Sequence, residues 1–182
     1  MLKRLAPLYL IGCSAIASGN PVLPLDMPAL PVETLSKIEM TVPADLQDGT
    51  CLFIIGFSRS SSSDTRNWSQ SLEERLPQDS AAVYSVSVLE DVPGLLRGFV
   101  VRGIRRGVPE RFHDRFLIVT TESQAWKDLA SFADPDAAYL VLTNSEHRIV
   151  WRTHGPATDE AVQEVIVKVT EIAPPRAEEA GR

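Results

Sequence analysis

The chain is short of the residues on which small redox and metal proteins depend. Its 182 residues include two cysteines, Cys13 and Cys51, and no C-x-x-C spacing. Neither a dithiol site nor a cysteine-ligated zinc site is therefore available. His113, His147 and His154 are scattered, with no i, i+4 pair and no adjacent cysteine, so no metal site is expected. Gly98, Gly103 and Gly107 form no G-x-G-x-x-G at a strand-to-helix turn, and no dinucleotide or other cofactor is expected. Positive charge is also scarce. A formal net charge of -6 argues against nucleic acid as a partner, which needs a broadly basic surface.

What is present fits one globular domain with additions at each end. The hydrophobic fraction of 44% with 23% charged residues is ordinary for a soluble fold with a proper core. Lys3 and Arg4 precede the apolar run "LAPLYLIGCSAIA", which is too short to span a bilayer. Residues 1–17 read as an export leader. Two processing routes stay open. Ala15-Ile16-Ala17 is the small-x-small pattern of ordinary signal peptidase, whereas "LIGC" resembles a bacterial lipobox in which Cys13 would be lipidated and anchor the protein to a membrane. Either route makes the protein exported, periplasmic or lipid-anchored in the cell envelope.

Residues 18–47 hold Pro21, Pro24, Pro28, Pro31 and Pro43 and read as a proline-rich linker, since proline lacks a backbone donor. Residues 173–182 read as a loose tail. Between them, residues 48–172 alternate strand and helix. "CLFIIGFS" is a continuous apolar run, as a strand covered on both faces requires. Ser61 to Asp64 offer N-cap chemistry for a helix whose Trp68, Leu72 and Leu76 recur at i, i+4 and i+8. "AAVYSVSVLE" alternates as a second strand. Pro93 and Gly94 open a helix with Leu96, Phe99, Val100 and Ile104 on its expected inner face. "DRFLIVTTE" is a third strand and "ESQAWKDLASF" a short helix. "AYLVLTN" and "RIVWRTHG" form an antiparallel hairpin, and Thr158 caps a last helix with Asp159 and Glu160 in its first turn. The order β-α-β-α-β-α-β-β-α implies an α/β fold, a mixed sheet with helices on both faces.

Several residues carry a resemblance. Phe57 ends the first core strand, Ser62 and Thr65 stand at the helix start, and Ala137 precedes the hairpin. This layout resembles TlpA-type thioredoxin-like proteins, which place an aromatic residue, Cys-x-x-Cys and a cis-proline near those positions. Here both cysteine positions are hydroxyl residues, and Pro135 falls two residues early. A wider resemblance spans about 120 residues. "AVYSVSVLED", "GIRRGVP" and "AYLVLTNSEHRIVWRTHGPATDE" are similar to cysteine-free bacterial thioredoxin-like proteins and to the mitochondrial F-type ATP synthase assembly factor with a peroxiredoxin-like fold. Tyr139, Leu140, Leu142, Arg148, Ile149, Trp151 and Gly155 match that family's hairpin, while Asn144 and Val150 depart from it. The resemblance implies a thioredoxin-like (peroxiredoxin/TlpA-type) fold and a binding, assembly or chaperone role in place of catalysis.

The candidate partner-binding residues fall into two groups. Ser58, Arg59, Ser62, Ser63, Asp64, Thr65 and Arg66 occupy the loop where the dithiol would sit. Disulfide exchange needs a thiolate, and a hydroxyl cannot replace it. The loop could hold a protein or peptide, including part of a membrane complex, or serve only to cap the helix. The second group is Arg102, Arg105 and Arg106, expected with Arg97 on a basic helix face. These forks suit carboxylates or phosphates, or simply a solvated surface. A small anionic ligand carrier, or a non-thiol enzyme with an unrecognised nucleophile, are the other readings.

Overall fold

The computed structural model describes residues 23–173. The expected leader with Cys13, and the tail apart from Ala173, lie outside the described residues. Eight strands form one sheet: β1 (Leu25–Asp26), β2 (Leu30–Thr34), β3 (Glu39–Val42), β4 (Cys51–Gly56), β5 (Ala82–Val88), β6 (Phe116–Val119), β7 (Ala138–Thr143) and β8 (Arg148–His154). Four α-helices accompany them: α1 (Ser62–Arg75), α2 (Gly94–Gly107), α3 (Ser123–Ala130) and α4 (Asp159–Ile172). A 3₁₀ turn, Glu110–Arg115, takes the first two residues expected of the third core strand.

The order across the sheet is β1-β8-β7-β4-β5-β6-β2-β3. β4, β5 and β6 pair in parallel, and every other pairing is antiparallel. The mixed sheet with helices on both faces is as expected. Cys51 to Ile55 of β4 are all buried, because alternate side chains feed two different cores. Leu52 and Ile54 pack with Trp68 and Leu72 of α1 and Val162, Val165 and Val169 of α4. Phe53 and Ile55 point the other way, into a core shared with Trp126 and Leu129 of α3. Each such large apolar side chain contributes about 1.5–3 kcal/mol on burial.

The proline-rich segment departs from its expected role. Within 18–47 the described residues include three strands of the sheet, β1, β2 and β3, and Leu30, Val32, Leu35 and Val42 are buried. β2 alternates buried and exposed positions through "LPVET", a strand pattern that the proline count obscured. Pro31 is tolerated because β2 meets β6 only through Glu33 and Thr34, so its missing N–H breaks no rung there. The domain therefore begins well before residue 48.

Two local expectations also change. Ser61 is the N-cap of α1, but its side chain caps no backbone N–H. The expected inner stripe of α2 is displaced: Val100, Val101 and Ile104 pack on Leu35, Leu89 and Ile118, while Leu96 and Phe99 are 56% and 69% exposed. Arg97 turns back toward the preceding loop and donates to the carbonyls of Glu90 and Val92, both at 3.2 Å. It leaves the outer basic face. At α4 the expected cap holds, Thr158 Oγ1 accepting from the Ala161 N–H at 3.2 Å.

Candidate functional site

In a parallel sheet the loops after the strands gather at the strands' C-terminal edge. The loop between β4 and α1 lies there, next to the segment that enters β7. Gly56 sets the approach. A Cβ on it would lie 2.9 Å from Ser61 Oγ and 3.1 Å from Thr65 Cγ2, so only glycine lets the first turn of α1 sit this close to the end of β4.

The loop hydroxyls are largely occupied by the loop itself. Ser61, fully buried, donates to the Ser58 carbonyl at 2.9 Å and accepts from the Ser58 N–H at 3.4 Å. Ser58 Oγ in turn accepts from the Ser61 N–H at 3.2 Å. Ser62 donates to the Arg59 carbonyl at 2.6 Å, Ser63 to that of Ser60 at 3.5 Å, and Thr65 to that of Ser62 at 3.2 Å. Ser62, Ser63 and Thr65 satisfy carbonyls, not the free N–H groups that a cap would serve, because their side chains fold back onto residues three positions earlier. Arg59, Ser62, Ser63 and Arg66 are exposed, and Asp64 and Thr65 half-buried.

Ser58 also reaches across the site. Its hydroxyl donates to Asp136 Oδ1 at 3.2 Å, linking the loop to the segment before β7. That segment is wound around Tyr139, whose hydroxyl accepts from the N–H groups of Ala133 and Asp134 at 2.9 and 2.6 Å and donates to the Asp134 carbonyl at 2.9 Å. Phe57, Phe132 and Tyr139 pack as one aromatic cluster, with ring centroids 4.9 to 5.8 Å apart, and the exposed His154 lies 5.3 Å from the Tyr139 ring. Trp68 Nε1 donates to the Gly155 carbonyl at 2.8 Å, pinning α1 to the corner after β8.

The structure thus brings the Ser58–Arg66 loop together with the segment before Tyr139. It places Arg102, Arg105 and Arg106 elsewhere, on α2, which packs on a different cluster. Asp136, Phe132 and His154 were not anticipated from the sequence. The available signal was Tyr139 itself: a buried phenol needs hydrogen-bond partners, and the polar "DPDAA" before it was the nearest supply.

No thiol stands at this surface among the described residues. Cys51 opens β4, whereas the loop follows its far end, roughly 20 Å along the strand. Burial pushes the Cys51 thiol up to about 11, against a lowering by Thr143 and Arg115. Its Sγ faces the Gln47 and Gly49 carbonyls at 3.7 and 3.8 Å. It is a neutral core side chain at physiological pH.

No protein-family model and no curated protein matches this sequence. Solved structures do match. BsSco, a member of the Sco family of cytochrome c oxidase assembly proteins, is 10% identical and aligns over 82% of this chain and 94% of its own, with a TM-score of 0.56. The exposed lipoprotein thioredoxin Etrx1 of Streptococcus pneumoniae is 10% identical over 78% of this chain and 99% of that one, with a TM-score of 0.54. A SCO1/SenC family lipoprotein from Bacillus anthracis is 12% identical over 82% and 96%, with a TM-score of 0.52. The fold is thioredoxin-like. On this thioredoxin-like frame, Ser62 and Thr65 fall in the first turn of α1, where the sequence resemblance placed a dithiol, and Ala137 enters β7 where it placed a cis-proline. The cis bonds among the described residues are at Pro24 and Pro43 instead.

Proposed function

We propose that this chain is a redox-inactive thioredoxin-like binding protein of the cell envelope, with an assembly or chaperone role and no catalytic one. Its partner is a protein or peptide, held on the surface formed by the Ser58–Arg66 loop and the segment before Tyr139. The observation that carries the reading is the Ser58–Asp136 bond. It joins the two segments that would flank a thioredoxin-like substrate into a single ordered surface, at a place with no sulfur. The hydroxyls there point their protons at carbonyls or a carboxylate, an arrangement that supports presentation of a shaped surface over nucleophilic attack. The hairpin resemblance to the cysteine-free assembly-factor branch agrees with this role. The envelope location rests on the leader and the lipobox-like "LIGC".

Insulin-disulfide reduction and peroxide turnover by the full chain are expected at buffer rates, with and without Cys51→Ala. Turnover that Cys51→Ala abolishes would overturn the reading. Binding is tested with a photo-crosslinker at Ser62, expected to give a discrete protein adduct in cell envelopes. The same probe at Glu171, on α4, serves as control. Equal adducts at both positions would mean the loop has no special partner.

A further inference from the structure

α2 carries two faces of the same spacing. Arg97, Val101, Ile104 and Val108 recur at i, i+4, i+7 and i+11 on the side toward the sheet. Leu95, Phe99, Arg102 and Arg106 repeat that spacing on the side away from it, because both sets close three turns of a helix with 3.6 residues per turn. On this outer face Leu95 is 100% exposed and Phe99 69%, with Leu96 beside them at 56%. Three of the five exposed large hydrophobic residues of the described chain therefore lie within five positions on one helix. Arg102, Arg105 and Arg106, all exposed, take part in none of the side-chain hydrogen bonds or ion pairs of the described residues, although the chain has 24 acidic side chains to 18 basic ones. Their charge is not neutralised internally.

We infer that the outer face of α2 docks on an anionic lipid bilayer, lying in the headgroup plane. The inference does not depend on the reading of the Ser58 loop. The charge is complementary: unpaired guanidiniums present planar donor forks to lipid phosphates, in a chain whose overall negative charge would otherwise repel such a surface. The arrangement favours lipid over an acidic protein. Apolar and cationic side chains share one convex stripe, so Leu95 and Phe99 enter the acyl boundary while Arg102 and Arg106 extend their heads to the phosphates. The helix glycines have no packing reason of their own. Added Cβ atoms at Gly94, Gly98, Gly103 and Gly107 would meet nothing within 4 Å. They leave α2 weak in isolation and low in profile, a helix that a lipid surface would steady.

The test uses the full chain, vesicles of phosphatidylcholine with and without phosphatidylglycerol, and hydrogen exchange mapped by peptide. Sedimentation with anionic vesicles is expected to exceed that with neutral ones and to fall with salt. Exchange should slow in the Gly94–Gly107 peptides of the bound chain. Joint replacement of Arg102, Arg105 and Arg106 by Gln should weaken anionic-vesicle binding on the order of 100-fold. Leu95→Gln with Phe99→Gln should weaken it at least about tenfold. Binding without slowed exchange in α2 would assign the attachment to the N-terminal apolar run and overturn the inference. So would protection of α2 by a soluble polyglutamate but not by vesicles, which would identify an acidic protein segment as the occupant. A lipid-free dimer abolished by the Leu95 and Phe99 replacements would identify a second copy. Should a variant fail to fold, as judged by circular dichroism, the wild-type comparison decides: equal binding to neutral and anionic vesicles at low salt overturns the inference.

Discussion

At the scale of single residues, Cys51 and Gly56 show where the described thiol lies and what shapes the loop. Burial favours the neutral thiol of Cys51, so its titration lies near 11, above an unfolded value near 9.0. A raised folded value means the unfolded chain loses its proton first. The resulting stability is complete below pH 9 and is lost as pH rises toward 11. Wild type should therefore lose on the order of 2–3 kcal/mol more than Cys51→Ala over that window, read from urea unfolding at each pH. Tyr84, raised chiefly by its own burial and further by the Cys51 charge, titrates in both variants, and its Cys51-dependent part belongs to the same difference. An identical pH profile for the two proteins would mean that Cys51 is not desolvated. Gly56 is tested differently. Its missing Cβ would lie 2.9 Å from the buried Ser61 hydroxyl, so Gly56→Ala should cost about 1–3 kcal/mol by overpacking. Ser61→Ala removes the obstructing oxygen and should recover part of that loss in the double variant. Strict additivity would show that the contact is not the cause.

At the scale of elements, legibility followed the number of sides on which an element is constrained. β4 was readable because a six-residue apolar run, buried on both faces, has few other uses. α1 and α4 were readable because each presents one apolar stripe, Trp68 with Leu72 and Val162 with Val165 and Val169. α2 offered two stripes in overlapping registers, and nothing in its own sequence says which meets Leu35, Leu89 and Ile118. That choice belongs to the tertiary fold. In the candidate site, the position of the loop was legible from the strand–serine–helix junction, but its bonding was not. A serine can donate or accept, and the fold-back onto Arg59, Ser60 and Ser62 carbonyls is decided by loop conformation. The Trp68–Gly155 bond was equally hidden, joining residues far apart in sequence. It gives α1 its fixed bearing against β8. Trp68→Phe removes the donor and part of a buried ring, and should lower stability by about 2 kcal/mol. Its loop amides, Phe57 to Ser63, should exchange faster than those of α3, which does not share the anchor. Uniform acceleration across both would place the effect in global unfolding alone.

At the scale of the whole molecule, the N-terminal segment connects features that the sequence kept apart. Proline density suggested a tether, yet β2 lies between β6 and β3 and so covers an edge that β6 would otherwise expose. Leu35, just after β2, is 1% exposed and sits with Leu89 and Ile118 under Val100, Val101 and Ile104 of α2. The backbone secures the same corner, since the Leu35 N–H reaches the carbonyls of His113 and Phe116 at 3.1 and 3.0 Å. The seat of α2 is thus built partly by residues that precede the alternating core. A tether residue could be truncated at no cost. Leu35→Ala, by contrast, should destabilise the domain by about 2–5 kcal/mol, the range for a buried leucine whose cavity collapses only in part. The same substitution should speed hydrogen exchange in Gly94–Gly107 more than in α4, because the lost contacts lie under α2 and none lie under Val162, Val165 or Val169. Urea unfolding and peptide-resolved exchange measure the two effects on one sample. Unchanged stability would return the segment to the status of a linker. Lowered stability with even exchange would keep it in the fold while detaching it from α2.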